Sequence, residues 1–259
     1  MSMAIDWTPL DAELDLWAAE GRVLPFWWRD DDAVSDTPEL QRMVALADGA
    51  GLPVHLAVIP AHADRRLVAR VVVEDALVPL VHGWRHESHA PLTQKKAEFG
   101  DHRPPGIWLD DARDALWRME ELFNRDLLPV FVPPWNRVAP EVVEGLAGLG
   151  YRAISTYLPR KRPMSAPGLV QVNTHLDPVA WKTTRALADP SALVAGMALD
   201  MAARRAGTVD ATEPFGLLTH HLIHDDDVWD FVAALLARLS AGPVRFCRLE
   251  QELNLEDGQ

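Results

Sequence analysis

Short apolar runs alternate with amphipathic stretches along the whole of this sequence, and that rhythm restricts the fold more than any other feature. Val23 to Trp28, Leu52 to Ile59, 77 to 82, Leu127 to Val132, 151 to 155, 169 to 174, Phe215 to His220 and Val244 to Cys247 read as strands. Helical patterns lie between them. Residues 8 to 20 place Leu10, Leu14 and Trp17 on one face. Asp36 or Thr37 caps the next helix, Pro38 sits in its first turn, Leu40, Met43, Val44 and Ala47 form its stripe, and Gly51 stops it. Further helices are expected over 63 to 75, after a cap at Asp110 or Asp111, up to Gly150, after Asp189-Pro190, and over 227 to 240. Strand followed by helix, repeated about seven times, predicts a parallel sheet closed as a (β/α) barrel, an open doubly wound sheet being the competitor. No Gly-x-Gly-x-x-Gly follows the first strand, which lowers a nucleotide-binding reading. The 259 residues suit one barrel domain over 1–259.

The chemically capable residues fall at one end of that barrel. Asp30, Asp31 and Asp32 end the first strand, His62 follows the second, His82 and His86 the third, Trp135 the fourth, His175 and Asp177 the sixth, and His220 and His221 the seventh. The carboxyl ends of parallel strands are where α/β proteins assemble active sites. The segment from 83 to 109, with Pro91, Gly100, Pro104, Pro105 and Gly106, is long enough to be functional. His82 and His86 stand four apart, a spacing that lets two rings face one ion, and an Asp completes a ligand set for Zn²⁺ or a similar first-row metal. A second Asp would be free to act as a general base, and a histidine across the site as a general acid.

Composition narrows the partners. A net charge of −13 without a basic block argues against nucleic acid and anionic membranes. Cys247 is the one cysteine, so any metal must be held by His, Asp or Glu. The first residues carry no basic segment followed by an apolar one, and no 18-residue apolar run occurs, so a cytoplasmic protein is expected.

Four motifs, in order, resemble the polysaccharide deacetylase family, the chitooligosaccharide-deacetylase-like metal hydrolases with an incomplete (β/α) barrel. Trp28-Arg29-Asp30-Asp31-Asp32 stands where the family has Thr-Phe-Asp-Asp-Gly, His82-x-x-x-His86 where it has His-(Ser/Thr)-x-x-His, Phe131-Val132-Pro133-Pro134-Trp135 where it has Phe-Arg-Pro-Pro-(Tyr/Trp), and Leu218-Thr219-His220 where it has Leu-x-His. The resemblance implies a distorted or incomplete barrel of about seven parallel strands. It also implies one divalent metal, Zn²⁺ first and Co²⁺, Ni²⁺ or Mn²⁺ after it, held by Asp31, His82 and His86. Counted back from Thr37-Pro38 without gaps, Asp30 becomes the catalytic base; a shift by one residue makes the base and ligand Asp31 and Asp32. His220 becomes the general acid, with His221 as runner-up. The Trp135 N–H joins the oxyanion hole, with Pro134, Trp84 and His175 beside the substrate. Val132 replaces the arginine that pairs with the family's catalytic Asp, and Arg137 or Arg29 is a candidate substitute.

The implied activity is removal of an acetyl group from an N-acetylated carbohydrate, a small molecule or soluble oligosaccharide, by metal-activated water. Two rivals stand beside it. His82-Gly83-Trp84-Arg85 is also similar to the His-Gly-x-Arg run of deacetylase-like allantoinases, which hydrolyse a cyclic amide and lack the second metal histidine. A non-catalytic carbohydrate-binding relic of the fold is the other. Bland roles are expected for Asp32 (helix N-terminal turn), Asp225 to Asp227 (capping), His55 (barrel lining) and His102 (exposed).

Overall fold

The computed structural model describes residues 5–253. In chain order the elements are α1 (Thr8–Ala19), β1 (Leu24–Ala33), α2 (Pro38–Ala50), β2 (Val54–Val58), α3 (Arg65–Val73), β3 (Leu77–His82) and α4 (Pro105–Phe123). They continue with β4 (Val130–Val132), α5 (Pro140–Leu146), β5 (Ala153–Ile154), β6 (Met164–Ala166) and β7 (Leu169–Gln171). The last are α6 (Pro190–Arg205), β8 (Phe215–Thr219), α7 (Asp226–Ala241), β9 (Val244–Phe246) and α8 (Leu249–Glu252). The sheet runs β6-β7-β5-β4-β3-β2-β1-β8, with β9 paired to the start of β1. All pairings are parallel except β6 with β7.

The barrel is distorted, as expected, and the reason is local. Among the described residues no continuous ladder joins β8 to β7. A single parallel bridge, Leu176 to Leu217, spans the gap instead, and another, Tyr157 to Thr174, extends the pairing of β5 with β7. The His175 N–H donates to the Gly216 carbonyl at 2.7 Å and the Leu218 N–H to that of Leu176 at 2.8 Å. Gly216 permits this seam, because a Cβ there would sit 2.7 Å from the Asn173 carbonyl oxygen and 2.8 Å from the Thr174 Cα.

Strand alternation sorts the core into two compartments. Trp27, Ala57, Val78, Leu80, Val130, Val132, Ala153 and Val172 fill the barrel interior, closed at the amino end of the strands by Cys247 and Leu249. Phe26, Trp28, Leu56, Val81 and Leu217 face the helices and pack on Leu40, Met43, Met119 and Val232. Both faces being covered, the strands read as apolar runs rather than alternations. His55 lines the interior. Its Nδ1–H donates to the Trp28 carbonyl at 3.1 Å, its Nε2 accepts from the Leu249 N–H at 3.0 Å, and its ring meets Trp27 edge-on at 5.4 Å.

Three expectations change. The first strand does not stop at Trp28 but carries the acidic cluster inside it, to Ala33. Helix α4 starts at Pro105, one turn before the acidic caps, so the irregular segment ends near Pro104. An antiparallel strand, β6, precedes β7 as a hairpin. Helix α2 meets its description: the Thr37 hydroxyl accepts from the Leu40 N–H at 3.2 Å and Gly51 closes the helix at φ 66°.

Candidate metal centre and active site

The three aspartates of β1 part company. Alternation alone puts Asp30 and Asp32 on the helix side and Asp31 inside the barrel. Asp30 obeys it. One carboxylate oxygen accepts from the Thr219 hydroxyl at 2.6 Å and the His221 N–H at 2.9 Å, and the other accepts from His221 Nδ1 at 2.5 Å. Asp30 and His221 are both 0% exposed. Burial pushes the Asp30 carboxyl up, but the His221 charge and these hydrogen bonds outweigh it and the net direction is down. The residue expected as base is therefore sealed behind the sheet, and so is the runner-up for the acid.

Asp32 breaks the alternation. Asp30 pairs with Leu56 but Ala33 with Val58, so β1 carries one extra residue against β2. That bulge, with Asp32 at φ 75°, turns the Asp32 carboxylate toward the third strand. Its Oδ1 lies 3.1 Å from His82 Nε2 and 3.2 Å from His86 Nε2. One ligand atom from each of Asp32, His82 and His86 falls within 4.8 Å of the others. The carboxylate that meets the two imidazoles is thus Asp32, one residue beyond the ungapped assignment to Asp31.

This donor set fits a divalent cation. His82 Nδ1–H donates to the Val132 carbonyl at 2.9 Å, which leaves the Nε2 lone pair aimed at Asp32. Burial opposes charging His82, yet Asp31 and Asp32 pull it the other way and its pKa is raised. Burial raises the Asp32 carboxyl, but His82, His86 and His220 hold it far below the usual range. With Asp31 answered by Arg29, the Asp32 carboxylate faces two imidazoles, His82 buried and His86 half-buried, an arrangement that a cation would complete. His86 gains its orientation from a left-handed backbone, φ 59°, and from the Trp135 ring at 4.4 Å. Burial and then the neighbouring His82 lower its pKa.

Asp31 stays inside the barrel beside Arg29, two residues earlier on the same face. Arg29 Nη2 donates to Asp31 Oδ2 at 3.1 Å, and Nε lies 2.9 Å from Oδ1 without a hydrogen-bonding angle, which keeps an Oδ1 lone pair unclaimed. The guanidinium is held further by the Ser155 hydroxyl at 2.7 Å, the Thr156 carbonyl at 3.2 Å and the Asn136 side-chain oxygen at 2.8 Å. Val132, at the family's arginine position, is wholly apolar core. Arg137 is turned away, donating to the Lys96 carbonyl at 2.8 Å.

Loops complete the rim. Gly83, at φ 57°, replaces the hydroxyl residue because a Cβ there would collide with the Glu98 carboxylate and Pro134. Glu98 accepts from the Trp84 and Arg85 N–H groups at 3.2 and 2.7 Å, so it anchors the turn between the two histidines. Trp84 and Trp135 are half-buried and Pro134 is buried. His220 rests edge-on against Trp181 at 4.5 Å, and Trp181 Nε1 donates to Asp177 at 2.7 Å. His220 Nδ1 is buried without a hydrogen-bond partner. Burial raises the Asp177 carboxyl, His220 lowering it only in part.

His175, expected beside the substrate, is not in this group. It is tied to Glu213 at 3.2 Å, Arg204 at 2.9 Å and the Gly216 N–H at 2.9 Å in a buried network outside the cleft. His62 and His89 are exposed and His102 is bonded to Gln94 at 2.7 Å. Arg29, one of the two candidate arginines, joins the site, as do Asp177 and Trp181, which had no expected role in it. The Arg29 pairing with Asp31 follows from i, i+2 spacing on a strand, once the strand is extended through the acidic run. The Trp181–Asp177–His220 cluster left only a weak trace, an Asp and a Trp four apart.

No protein-family model matches the sequence, and no curated protein matches it. Solved structures do share its fold. Peptidoglycan deacetylase PdaC from Bacillus subtilis is 11% identical with a TM-score of 0.55, over 90% of this chain and 92% of that one. A family 4 carbohydrate esterase from Streptomyces lividans, solved in complex with acetate, is 13% identical with a TM-score of 0.51, over 87% and 93%. A mutant of a family 4 carbohydrate-esterase pseudoenzyme with restored activity is 14% identical with a TM-score of 0.52, over 86% and 65%. The chain therefore has the polysaccharide-deacetylase fold, an unclosed α/β barrel. Among the described residues, no helix is long and apolar enough to cross a membrane.

Proposed function

We propose that this protein is a metal-dependent hydrolase that removes an acetyl group from an N-acetylated saccharide. The observation that carries the reading is the split of the acidic cluster: Asp32 with His82 and His86 on one side, Asp31 with Arg29 on the other. Asp32, His82 and His86 would hold the cation. A divalent ion there, Zn²⁺ first among candidates, supplies Lewis-acid polarisation of the amide carbonyl and acidifies a water.

The chain's own groups do the rest. Asp31, turned by Arg29 and with its Oδ1 lone pair free, takes the proton from the attacking water as the new C–O bond forms. The Trp135 N–H meets the negative oxygen that develops on the carbonyl carbon. His220, backed by Trp181 and Asp177, gives a proton to the nitrogen as the C–N bond breaks, releasing acetate and a free amine. Trp84, Pro134 and Trp135 offer planes against which a sugar ring can lie. Arg29 answers the main argument for a relic, since Asp31 has an arginine although Val132 does not supply it. The convergence of both histidines on Asp32 weighs against the imidase reading. The cytoplasm is the compartment that goes with this proposal, and cell fractionation checks it.

Elemental analysis and acetate release test the whole assignment. We expect about one metal per chain, lost in Asp32→Ala and in His82→Ala. Asp31→Asn should keep the metal and lose roughly 10²–10⁴ in rate, the usual worth of a general base. Full activity in Asp31→Asn, or undiminished metal in Asp32→Ala, would overturn these roles.

A further inference from the structure

The chain carries a large excess of acid, −13, yet all its lysines and two free arginines lie on loops at the mouth of the cleft. All the lysines, Lys95, Lys96, Lys161 and Lys182, lie on loops that leave the carboxyl ends of β3, β5 and β7. Arg85 and Arg185 lie on the same loops. Three of these cations stand over the tryptophans of the rim. Lys96 Nζ is 5.8 Å from the Trp135 ring centre, Arg185 Cζ 5.5 Å from that of Trp181, and Arg85 Cζ 5.6 Å from that of Trp84. Trp135 packs on His86 at 4.4 Å and Trp181 on His220 at 4.5 Å, so Lys96 and Arg185 are each one ring away from a site histidine.

These cations are free of acids. Many other arginines are matched, as in Arg70 with Asp36 and Glu74, Arg103 with Asp111, Arg205 with Glu13 and Glu20, and Arg238 with Asp11, while Arg65, Arg66 and Arg152 form no ion pair among the described residues but stand over no tryptophan. Among the described residues Arg85, Lys96 and Arg185 form no ion pair, and their side chains are exposed. The acids of the same loops do not cancel them. Glu98 is buried and spent on backbone N–H groups, Asp177 is tied to Trp181 and Asp189 caps α6, which leaves Glu87 and Asp101 in solvent. A neutral sugar would need the aromatic planes alone. Unpaired cations beside those planes, on an otherwise acidic body, put positive charge at the rim of the cleft, where an anionic group outside the reacting amide would meet it.

We infer that the substrate is an N-acetylated saccharide bearing an anionic group, a carboxylate or a phosphate, which Lys96 and Arg185 engage at the rim. This rests on the deacetylase reading and adds the charge of the substrate to it. The cations steer and hold the substrate and take no part in bond breaking.

Three probes separate the possibilities: N-acetylglucosamine 1-phosphate, N-acetylmuramic acid and neutral N,N′-diacetylchitobiose, each scored by acetate release and by calorimetric binding. We expect kcat/KM for at least one anionic probe to exceed that for the neutral one by about tenfold or more, with an advantage that shrinks at high salt. Which anionic probe leads tells phosphate from carboxylate. Lys96→Glu/Arg185→Glu should cut the anionic-to-neutral ratio by about tenfold. Arg125→Glu, a single charge reversal beyond the far end of α4, should leave the ratio where it was, while Lys96→Glu alone, an equal change of charge at the rim, should lower it. Equal use of neutral and anionic probes, or a ratio unmoved by the double variant, would overturn the inference and leave the deacetylase reading standing. Absence of acetate from every probe would instead sink that reading. Salt-sensitive binding of an anionic probe, weakened in the double variant, would then still support the charge assignment, and its absence would end both.

Discussion

Arg29 and Asp31 form an ion pair removed from water, 0% and 3% exposed. A pair so placed costs desolvation to form, and breaking it from one side leaves a charge with nothing to answer it. Arg29→Met should therefore cost about 3–5 kcal/mol. Arg29→Met/Asp31→Leu should recover part of that, since neither charge remains. Urea unfolding of the two variants and of Asp31→Leu closes a double-mutant cycle, and a cycle with no coupling would mean that Ser155 and Asn136, not Asp31, hold the guanidinium. At this scale the sequence was readable in kind but not in register. His82, His86 and Trp135 pack together, and His220 lies against Trp181. The aspartates were ambiguous because three identical residues in a row carry no phase. The extra residue that turns Asp32 toward His82 and His86 is a backbone event, and an Asp tolerates its positive φ well enough that no glycine marks it.

At the scale of elements, alternation was sufficient to find β1, β2, β3 and their helices, because parallel strands buried on both faces give long apolar runs. It missed β6 and overran β5 and β7, where the sheet is thin. These strands are two or three residues long, and a single bridge at Leu176 replaces a ladder to β8, so period and propensity had little to act on. Gly216 is the residue on which that seam depends. Gly216→Ala should destabilise the fold by roughly 1–3 kcal/mol, the usual cost of overpacking, because the new methyl meets backbone that cannot rotate aside. Hydrogen exchange should show the change first at the His175 and Leu218 amides, which bond across the seam. Uniform loss of protection across the sheet, with no excess there, would argue that the seam does not open independently.

Taken as a whole, the molecule answers acid through buried histidines that pull in opposite directions. His224 packs its ring 4.7 Å from Trp229, accepts from the His220 N–H at 3.1 Å through Nε2, and leaves Nδ1 buried without a partner. Burial pushes its pKa down from 6.5 to about 4, the charges of His220 and His221 adding to this and that of Asp30 opposing it. The unfolded chain therefore binds the proton first. Stability that His224 contributes is complete above about 6.5, falls as the pH drops, and is gone once the pH passes the folded value near 4. His221, whose partner Asp30 overcomes its burial and raises it, works the other way and favours the fold on the acid side of its unfolded value. The net curve is a sum, so the His224 share has to be read as a difference. His224→Gln keeps an acceptor for the His220 N–H and cannot take up a proton. Urea midpoints of the parent and this variant, followed from neutral pH down to about pH 4 in the same metal state, should converge as the parent loses what the variant never had. Curves that stay parallel through that window would show that the His224 ring is not held uncharged by its surroundings, and that acid unfolding begins with the carboxylates instead.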